Sequence, residues 1–285
     1  MSFANKVKQE LVGQMPNARH CRIAELAALV SFAGRLDDGI LRLNTENQTA
    51  CGRFSALVKK LFSFDSEKTG RGETGQILET IKADNGLIPD RLILKQSCCK
   101  RAYLRGAFLA CGSMTDPEKD YHLEFVTDGD RALTIMDELL AFGIEAKSVK
   151  RKKNYVVYVK DSELIVDVLN VIEAHVALMD FENVRIYKDM RNSVNRRVNC
   201  ETANIGKTIT AAGRQIEDIN YLLSIHGLEL LSDDLKETAQ LRLEYPDSSL
   251  AELGRMHARP IGRSGVNHRL ARLSEMAQML RTNNS

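Results

Sequence analysis

The sequence lacks features that would place the protein in a membrane or outside the cell. Its most apolar stretches, around residues 23–34 and 164–181, carry charges and fall short of the ~20 uninterrupted apolar residues that a membrane span requires. Residues 1–10 are polar and charged, so we expect no signal peptide and a cytoplasmic location. With 285 residues and 44% hydrophobic content, the chain can bury the cores of two or three small domains.

Metal-binding patterns and an overall excess of charge are also missing. The six cysteines include no C-x-x-C pair, and the adjacent couple Cys98-Cys99 cannot chelate zinc without ligands from distant parts of the chain. We therefore expect reduced, mostly buried thiols, with no metal and no cofactor. The formal net charge is only +2, but the chain from Arg255 to its end has six arginines and one acid.

Two similar nine-residue segments lie 78 residues apart, at 26–34 (LAALVSFAG) and 104–112 (LRGAFLACG). Each predicts a helix of small residues that ends in glycine, and each resembles the LAGLIDADG motif of homing endonucleases. In that family the eighth motif position is an Asp or Glu that holds a divalent cation, whereas this chain has Ala33 and Cys111 there. Since Mg²⁺ takes chiefly carboxylate oxygens, the resemblance implies a helix pair without a catalytic site.

A working nuclease would need other acids to rebuild the metal site. Asp37 and Asp38 follow the first motif, and Asp116 and Glu118 follow the second. These residues lie in predicted loops beyond the motif positions, so both loops would have to fold back to form a symmetric pair. We predict that the protein is not an enzyme, and a rebuilt endonuclease is the alternative.

Helix and strand patterns follow the two motifs in a similar order. After the second motif the pattern predicts strand, helix, two strands and helix, at residues 121–127, 130–142, 144–151, 155–160 and 162–177. After the first motif, residues 39–44 and 50–62 predict a strand and a helix. We infer an α+β region at 1–190 built as a pseudo-twofold LAGLIDADG homing-endonuclease-like duplication, with halves of about 1–95 and 96–190.

The hairpin at 144–160 is strongly basic. In active relatives of the LAGLIDADG type the strands form a saddle over DNA, so secondary contacts with phosphates are expected here, and a solvated hairpin is the alternative. The cations concerned are Lys147, Lys150, Arg151, Lys152 and Lys153.

A helical domain is predicted at 205–285, after a polar stretch rich in Arg and Asn. Residues 191–204 have no apolar period and should be a linker or a mobile entry to the next helix. Residues 205–227 place apolar side chains on one helical face, which predicts the core helix of a small bundle. A dimerising coiled coil is the alternative, for which only ~2.5 heptads are available.

The end of the chain shows a helix-turn-helix pattern at about 248–281. Helices are predicted at 235–245 and 250–257, and a longer third helix follows a turn, with Ser264 as its N-cap. The third helix combines an apolar stripe with a polar, basic face near its start, where Arg and Asn can pair with guanine and adenine in the major groove. We therefore predict binding to double-stranded DNA, with a three-helix domain that has a solvated Arg face as the alternative.

The predicted DNA-binding residues are polar or small and lie around the start of that third helix. They are Ser249, Arg263, Ser264, Gly265, Asn267, His268, Arg269 and Arg272. His268 has no accompanying base or nucleophile pattern, so it is interpreted as a phosphate or base contact, or a cap, and not as a catalyst.

The C-terminal residues resemble one family closely. Residues 245–254 (YPDSSLAELG) and 260–273 (PIGRSGVNHRLARL) are similar to the C-terminal domain of the WhiA family, sporulation and cell-division regulators of Gram-positive bacteria. The resemblance extends to residues 3–11 (FANKVKQEL) and to the degenerate LAGLIDADG region. The turn departs from the family, which carries a Pro-Pro pair where this chain has Arg259-Pro260.

This resemblance implies an inactive nuclease scaffold joined to a helix-turn-helix domain. It further implies a nucleoid-associated transcriptional regulator linked to cell division, chromosome segregation and sporulation. Its expected partners are promoter or chromosomal DNA and other regulatory or cell-division proteins, without membrane association. A protein-interaction module of the cell-cycle machinery with incidental DNA contact is the alternative function.

Overall fold

Helices and strands alternate through the first half of the chain, and a long helix separates them from a helical C-terminal region. The computed structural model describes residues 2–45, 47–66, 69–84, 86–226 and 231–283. The chain divides into an N-terminal unit, Met1–Asp189, and a C-terminal unit, Met190–Ser285. Among the described residues, no helix combines the length and the apolar content needed to cross a membrane.

The N-terminal unit contains short strands among longer helices. Its elements in chain order are α1 (Phe3–Val12), α2 (Arg19–Ala33), β1 (Gly34–Asp37), β2 (Ile40–Leu43), α3 (Gln48–Phe62), α4 (Arg71–Thr80), a 3-10 helix (Arg91–Leu94), α5 (Ser97–Cys111), β3 (Gly112–Met114), β4 (Leu123–Thr127), α6 (Gly129–Leu140), β5 (Lys147–Arg151), β6 (Asn154–Val159) and α7 (Ser162–Val171). Helix α8 (His175–His226) begins in this unit and continues into the next. The C-terminal unit adds α9 (Asp233–Glu244), α10 (Leu250–Met256) and α11 (Arg263–Asn283).

Helices α2 and α5, which contain the two nine-residue motifs, pack along each other inside the N-terminal unit. Small residues allow the two backbones to approach closely. A Cβ added at Gly106 of α5 would lie 2.6 Å from the carbonyl oxygen of Glu25 and 2.8 Å from the Cβ of Ala28, both in α2. Any larger residue at 106 would push the helices apart, which confirms the structural part of the motif prediction.

A buried carboxylate joins three helices beside this contact. The Glu25 side chain is fully buried; Arg53 Nε of α3 donates to its Oε1 at 2.6 Å, and Arg105 Nε of α5 donates to its Oε2 at 3.1 Å. Arg53 also donates to the carbonyl oxygens of Val12 and Gln14, at 3.2 and 2.5 Å. These charge-assisted hydrogen bonds compensate for the loss of hydration of the buried charges.

The duplication is complete for the helix pair but not for the sheet. The second half forms a four-stranded antiparallel sheet in the order β3-β4-β6-β5, whereas β1 and β2 form a two-stranded sheet. Within the described part of the first half, no second hairpin separates α3 from α4. The order predicted for the second half is therefore present, and the first half reproduces it without a counterpart of β5 and β6.

The stretch 191–204 is helical, which corrects the expectation that it forms an irregular, mobile connection between two helices. Helix α7, expected at 162–177, ends at Val171, and α8 runs through residues 175–226, so it begins 30 residues before the helix start expected at 205. The sequence contains no Gly or Pro between residues 175 and 205, so nothing there ends the helix, and its polar side chains remain exposed. Residue 227, the expected helix end, lies outside the described residues.

The C-terminal unit has a single helical core. Its buried apolar residues come from the end of α8 and from the later segments; they are Ile219, Leu222, Leu231, Leu235, Ala239, Leu253, Val266, Leu270, Leu273 and Ala277. Of the apolar stripe predicted for 205–227, Ile219 is buried in this core, whereas Ile209 is 63% exposed. Ala212 of the same stripe is also buried, so the core-helix interpretation holds for the part of α8 from about residue 212 onward.

The cysteines differ from the expectation of mostly buried thiols. All six are free, but only Cys21 and Cys99 are buried, while Cys98 and Cys200 are exposed. Cys98 lies in the first turn of α5 and Cys200 on the exposed part of α8, and neither position faces an apolar core.

Candidate nucleic-acid interface

The first helix of the helix-turn-helix begins at a fully formed capping box. The Ser249 hydroxyl accepts from the Glu252 backbone N–H at 3.3 Å, and Glu252 Oε2 accepts from the Ser249 N–H at 2.8 Å. The backbone N–H and the hydroxyl of Ser249 stabilise the Glu252 carboxylate and lower its pKa. Ser249 therefore fixes the start of α10.

The turn at 257–262 packs closely onto α10. The N–H of Ile261 donates to the carbonyl oxygen of Gly254 at 2.9 Å, and a Cβ at Gly254 would lie 2.3 Å from the carbonyl oxygen of Ile261. Buried His257 places Nδ1 2.8 Å from the Leu253 carbonyl oxygen and Nε2 2.9 Å from Thr238 Oγ1 of α9. Gly254 and His257 thus hold the turn in place, a role that the sequence analysis did not assign to either residue.

Helix α11 buries one side and exposes most of the predicted reading residues on the other. Val266, Leu270 and Leu273 pack into the core. The exposed members of the predicted set are Arg263, Ser264, Asn267, His268 and Arg272. Gly265 is half-buried, with Ile261 as its neighbour.

Helix α11 also begins slightly earlier than the sequence predicted. The carbonyl oxygen of Gly262 accepts from the N–H groups of Gly265 and Val266, at 2.9 and 3.2 Å. Gly262 is therefore the residue at the helix start, and Ser264 lies inside the first turn, which corrects its expected role as N-cap.

Arg269 does not share the exposed position of its neighbours. Its Nη2 lies 3.2 Å from Asp234 Oδ2 at the start of α9, and its side chain is only 21% exposed. The guanidinium therefore holds α11 against α9, and it is set apart from the residues that the structure leaves open to a ligand.

A cation-lined cleft of about 510 Å³ lies beside the exposed start of α11, within the C-terminal unit. Its polar lining comes from Lys207, Gln215, Arg242, Ser249, Arg263 and Asn267. Burial lowers the pKa of Arg242. Its Nη1 donates to the Ser248 carbonyl oxygen at 2.8 Å, and its Nε has no hydrogen-bond partner among the described residues.

This cleft suits an anionic ligand, because its cations stand beside the N-terminal end of a helix, where backbone N–H groups favour negative charge. Lys207 and Arg242 were not among the residues predicted from the sequence. Both lie inside helix patterns, and only their positions relative to α11 reveal them.

The basic hairpin does not present its cations on a single surface. Strand β5 is an edge strand that is exposed along its whole length. Lys147 is opposite Tyr158 and Lys150 is opposite Tyr155, so the two lysines alternate between the faces of the sheet, with Arg151 on the side of Lys147. Lys152 and Lys153 lie in the turn, where Lys152 has a φ of 58°.

The degenerate motif positions end the two central helices. Ala33 is the last residue of α2, is 6% exposed and offers no ligand atom. Cys111 is the last residue of α5, and its thiol donates to the Ala107 carbonyl oxygen at 3.3 Å. Burial raises the pKa of Cys111 to about 12, and the nearby ammonium of Lys8 opposes that shift. A neutral thiol beside a lysine is a poor place for Mg²⁺.

The acids considered as substitutes have other surroundings. Asp37 forms an exposed ion pair with Arg35 at 2.7 Å, and Asp116 accepts from the Glu118 backbone N–H at 3.0 Å. In the part of the chain that the structure describes, none of these acids joins a group of three or more His, Cys, Asp or Glu ligand atoms.

Known proteins have the same succession of a LAGLIDADG-like domain and a helix-turn-helix domain. Residues 194–277 match the family model of the WhiA C-terminal HTH domain, and residues 100–191 match that of the WhiA LAGLIDADG-like domain. A probable cell division protein WhiA from Lachnoclostridium phytofermentans is 47% identical, over 99% of this chain and 100% of the relative. This chain belongs to the WhiA family.

Other WhiA proteins also match this chain along almost its full length. A probable cell division protein WhiA from Alkaliphilus oremlandii is 44% identical over 98% of both chains. The crystal structure of full-length DUF199/WhiA from Thermatoga maritima matches with a TM-score of 0.61 and 25% identity, over 98% of this chain and 99% of that one. The predicted fold class is confirmed: an α+β LAGLIDADG-like region precedes an all-α helix-turn-helix domain. The WhiA helix-turn-helix match indicates DNA binding.

Proposed function

We propose that this WhiA-family protein is a cytoplasmic, nucleoid-associated transcriptional regulator whose helix α11 reads double-stranded DNA in the major groove. The observation that carries the proposal is that α11 leaves Arg263, Asn267 and Arg272 exposed while its apolar residues pack into the core. A guanidinium can pair with guanine O6 and N7, and an amide with adenine N6 and N7. Because both kinds of side chain are exposed, they can contact bases without any change in the fold.

The surrounding residues have different roles in this proposal. Lys207 and Arg263 contact phosphates from the cleft, and Ser264 and His268 contact phosphates or base edges. Ser249 caps α10 at the same surface. Arg269 positions α11 through Asp234 and reads no base unless that ion pair breaks.

A gel shift with a selected site tests the reading residues. Selection from a random double-stranded DNA library supplies the probe, and each lost base contact should cost about 1–3 kcal/mol of binding free energy. We expect Asn267→Ala and Arg272→Ala to weaken binding and to relax selectivity, whereas Gln278→Ala, an exposed residue further along α11, serves as the matched control. Unchanged affinity and selectivity in both reading variants would remove the assignment.

The N-terminal unit acts in this proposal as a scaffold without nuclease activity. Ala33 has no ligand atom, and Cys111 holds a half-buried thiol whose pKa is raised to about 12, so it stays neutral near neutral pH. We also propose the division into a LAGLIDADG-like domain at 1–190, a helical linker at 191–204 and a DNA-binding domain at 205–285. Incubation of long DNA with the protein and Mg²⁺ or Mn²⁺ should give no cuts, and metal-dependent cleavage would restore the endonuclease alternative.

The basic hairpin gives the N-terminal unit a second, weaker DNA contact. Each phosphate neutralised adds ~0.9 to the slope of log affinity against log salt concentration. Joint replacement of Lys147, Lys150, Lys152 and Lys153 with alanine should therefore flatten that slope while the preferred sequence stays the same. A slope equal to that of the unaltered protein would show that the hairpin is only solvated.

A protein-interaction role is the second candidate, and exposed apolar residues on α8 favour it. Within the C-terminal unit, Met190, Val194 and Val198 recur every four residues and are 64%, 59% and 51% exposed. Pull-downs at high salt, with and without nuclease, separate direct protein partners from those bridged by DNA.

The processes we propose are cell division, chromosome segregation and sporulation. Genome-wide occupancy tests this by showing whether the protein binds near genes of these processes, and transcript levels then show whether the expression of those genes changes.

A further inference from the structure

Four side chains with metal-ligand atoms meet where α2 and α5 begin. His20 Nδ1 lies 3.2 Å from Cys99 Sγ, 3.3 Å from Cys21 Sγ and 4.0 Å from Cys98 Sγ. All four ligand atoms lie within 4.8 Å of one another. Among the described residues this is the one group of at least three such ligand atoms.

The arrangement follows the internal duplication. His20 and Cys21 are the second and third residues of α2, and Cys98 and Cys99 are the second and third residues of α5. The same offset of 78 residues relates the two LAGLIDADG-like motifs. Each half therefore supplies two adjacent ligands across the contact between the central helices, at the ends opposite to Ala33 and Cys111.

We propose that His20, Cys21, Cys98 and Cys99 bind one Zn²⁺ ion in a closed, structural Cys₃His site. A tetrahedral zinc ion, with Zn–S near 2.3 Å and Zn–N near 2.0–2.1 Å, separates its ligand atoms by about 3.5–3.8 Å. The four atoms can reach those separations by side-chain movements of about an ångström. Binding displaces three thiol protons into solvent, so three thiolates and a neutral imidazole leave the site with a net charge of −1.

The ligand chemistry selects zinc over the cation of an active LAGLIDADG nuclease. Three thiolates and an imidazole are soft or borderline ligands that suit Zn²⁺, whereas Mg²⁺ requires oxygen ligands. Four protein ligands leave no open position for substrate, which is typical of a structural zinc site and not of a catalytic one. The ion would join the two halves where their central helices begin.

Metal analysis of the full-length chain, purified without a polyhistidine tag and loaded with Zn²⁺, tests the site. After removal of loosely bound metal, we expect one zinc per chain in the unaltered protein and less than about a tenth of that in Cys98→Ser/Cys99→Ser. Cys200→Ser, which removes an exposed cysteine elsewhere, is the matched control and should retain the full amount.

Cobalt substitution keeps the test independent of whether the double variant folds. Co²⁺ in the unaltered chain should give the absorption bands of tetrahedral thiolate coordination, and His20→Cys should retain the metal with shifted bands, because a thiolate replaces the imidazole. His20→Ala should bind Co²⁺ more weakly. Absence of zinc and of these cobalt bands in the folded, reduced protein overturns the proposal, as does a stable disulfide between Cys21 and Cys98 or Cys99 that persists during metal loading.

Discussion

Replacing Gly254 with alanine should destabilise the helix-turn-helix, although alanine is ordinarily the better helix former. Gly254 lies inside α10, and the added Cβ would stand 2.3 Å from the carbonyl oxygen of Ile261. That oxygen belongs to the backbone of the turn and not to a flexible side chain. The turn must therefore move by nearly an ångström to accept the methyl group.

Two costs and one gain determine the size of the effect. Inserting a methyl group into a packed site costs about 1–3 kcal/mol. Displacing the turn also weakens the 2.9 Å hydrogen bond from the Ile261 N–H to the Gly254 carbonyl oxygen, worth about 0.5–1.5 kcal/mol. Because alanine has a higher helix propensity than glycine, the substitution also stabilises the helix by about 1 kcal/mol. We expect Gly254→Ala to lower the free energy of unfolding of the C-terminal unit by about 2 kcal/mol.

Calorimetry and hydrogen exchange of the full chain can measure this change. For a unit of this size, about 2 kcal/mol corresponds to a decrease in Tm on the order of 10 °C, with faster exchange in α10 and the turn. Gly213→Ala is the matched control, because Gly213 lies inside α8 with no atom within 4 Å of the added Cβ. That variant should gain about 0.5–1 kcal/mol. Equal stabilisation by both substitutions would refute the steric argument.

Two further predictions concern the N-terminal unit. Glu25→Gln leaves Arg53 and Arg105 without their shared carboxylate, so urea unfolding should show a loss of about 3–5 kcal/mol, and a loss below about 1 kcal/mol would contradict the proposed importance of the buried network. Because burial raises the pKa of Cys111 to about 12, little of its thiol ionises near neutral pH, and a maleimide should label it far more slowly than exposed Cys200; equal labelling rates by mass spectrometry would contradict this.

The elements that could be predicted are those whose apolar residues repeat at helical spacing. Helix α11 has such a stripe and occurs close to its predicted bounds. Helices α2 and α5 were predicted from the nine-residue motifs; they end as predicted but begin seven residues earlier. The prediction for 191–204 was wrong for the opposite reason, because the few apolar residues of this stretch, Val194 and Val198, stay exposed. A helix can nevertheless continue through exposed polar residues when no Gly or Pro interrupts it.

The candidate site was predictable only where a single helix carries it. The exposed side of α11 follows from its own sequence, which is why Asn267 and Arg272 were identified. The partner of Arg269 is Asp234, which lies 35 residues earlier, and Lys207 joins the cleft from another helix. The Cys₃His group required the pairing of α2 with α5, and its only signal in the sequence was that the 78-residue offset maps one couple onto the other.

The sheets of the two halves of the N-terminal unit are unequal, and this asymmetry affects how the unit could bind a DNA duplex. A twofold-symmetric DNA-binding surface makes the same contacts with both halves of its site, so it suits a palindromic sequence. Here the helix pair keeps the twofold relation, but the described part of the first half has no strands that match β5 and β6. If this unit contacts DNA as proposed above, the unequal sheets of its two halves would let it distinguish upstream from downstream along the duplex.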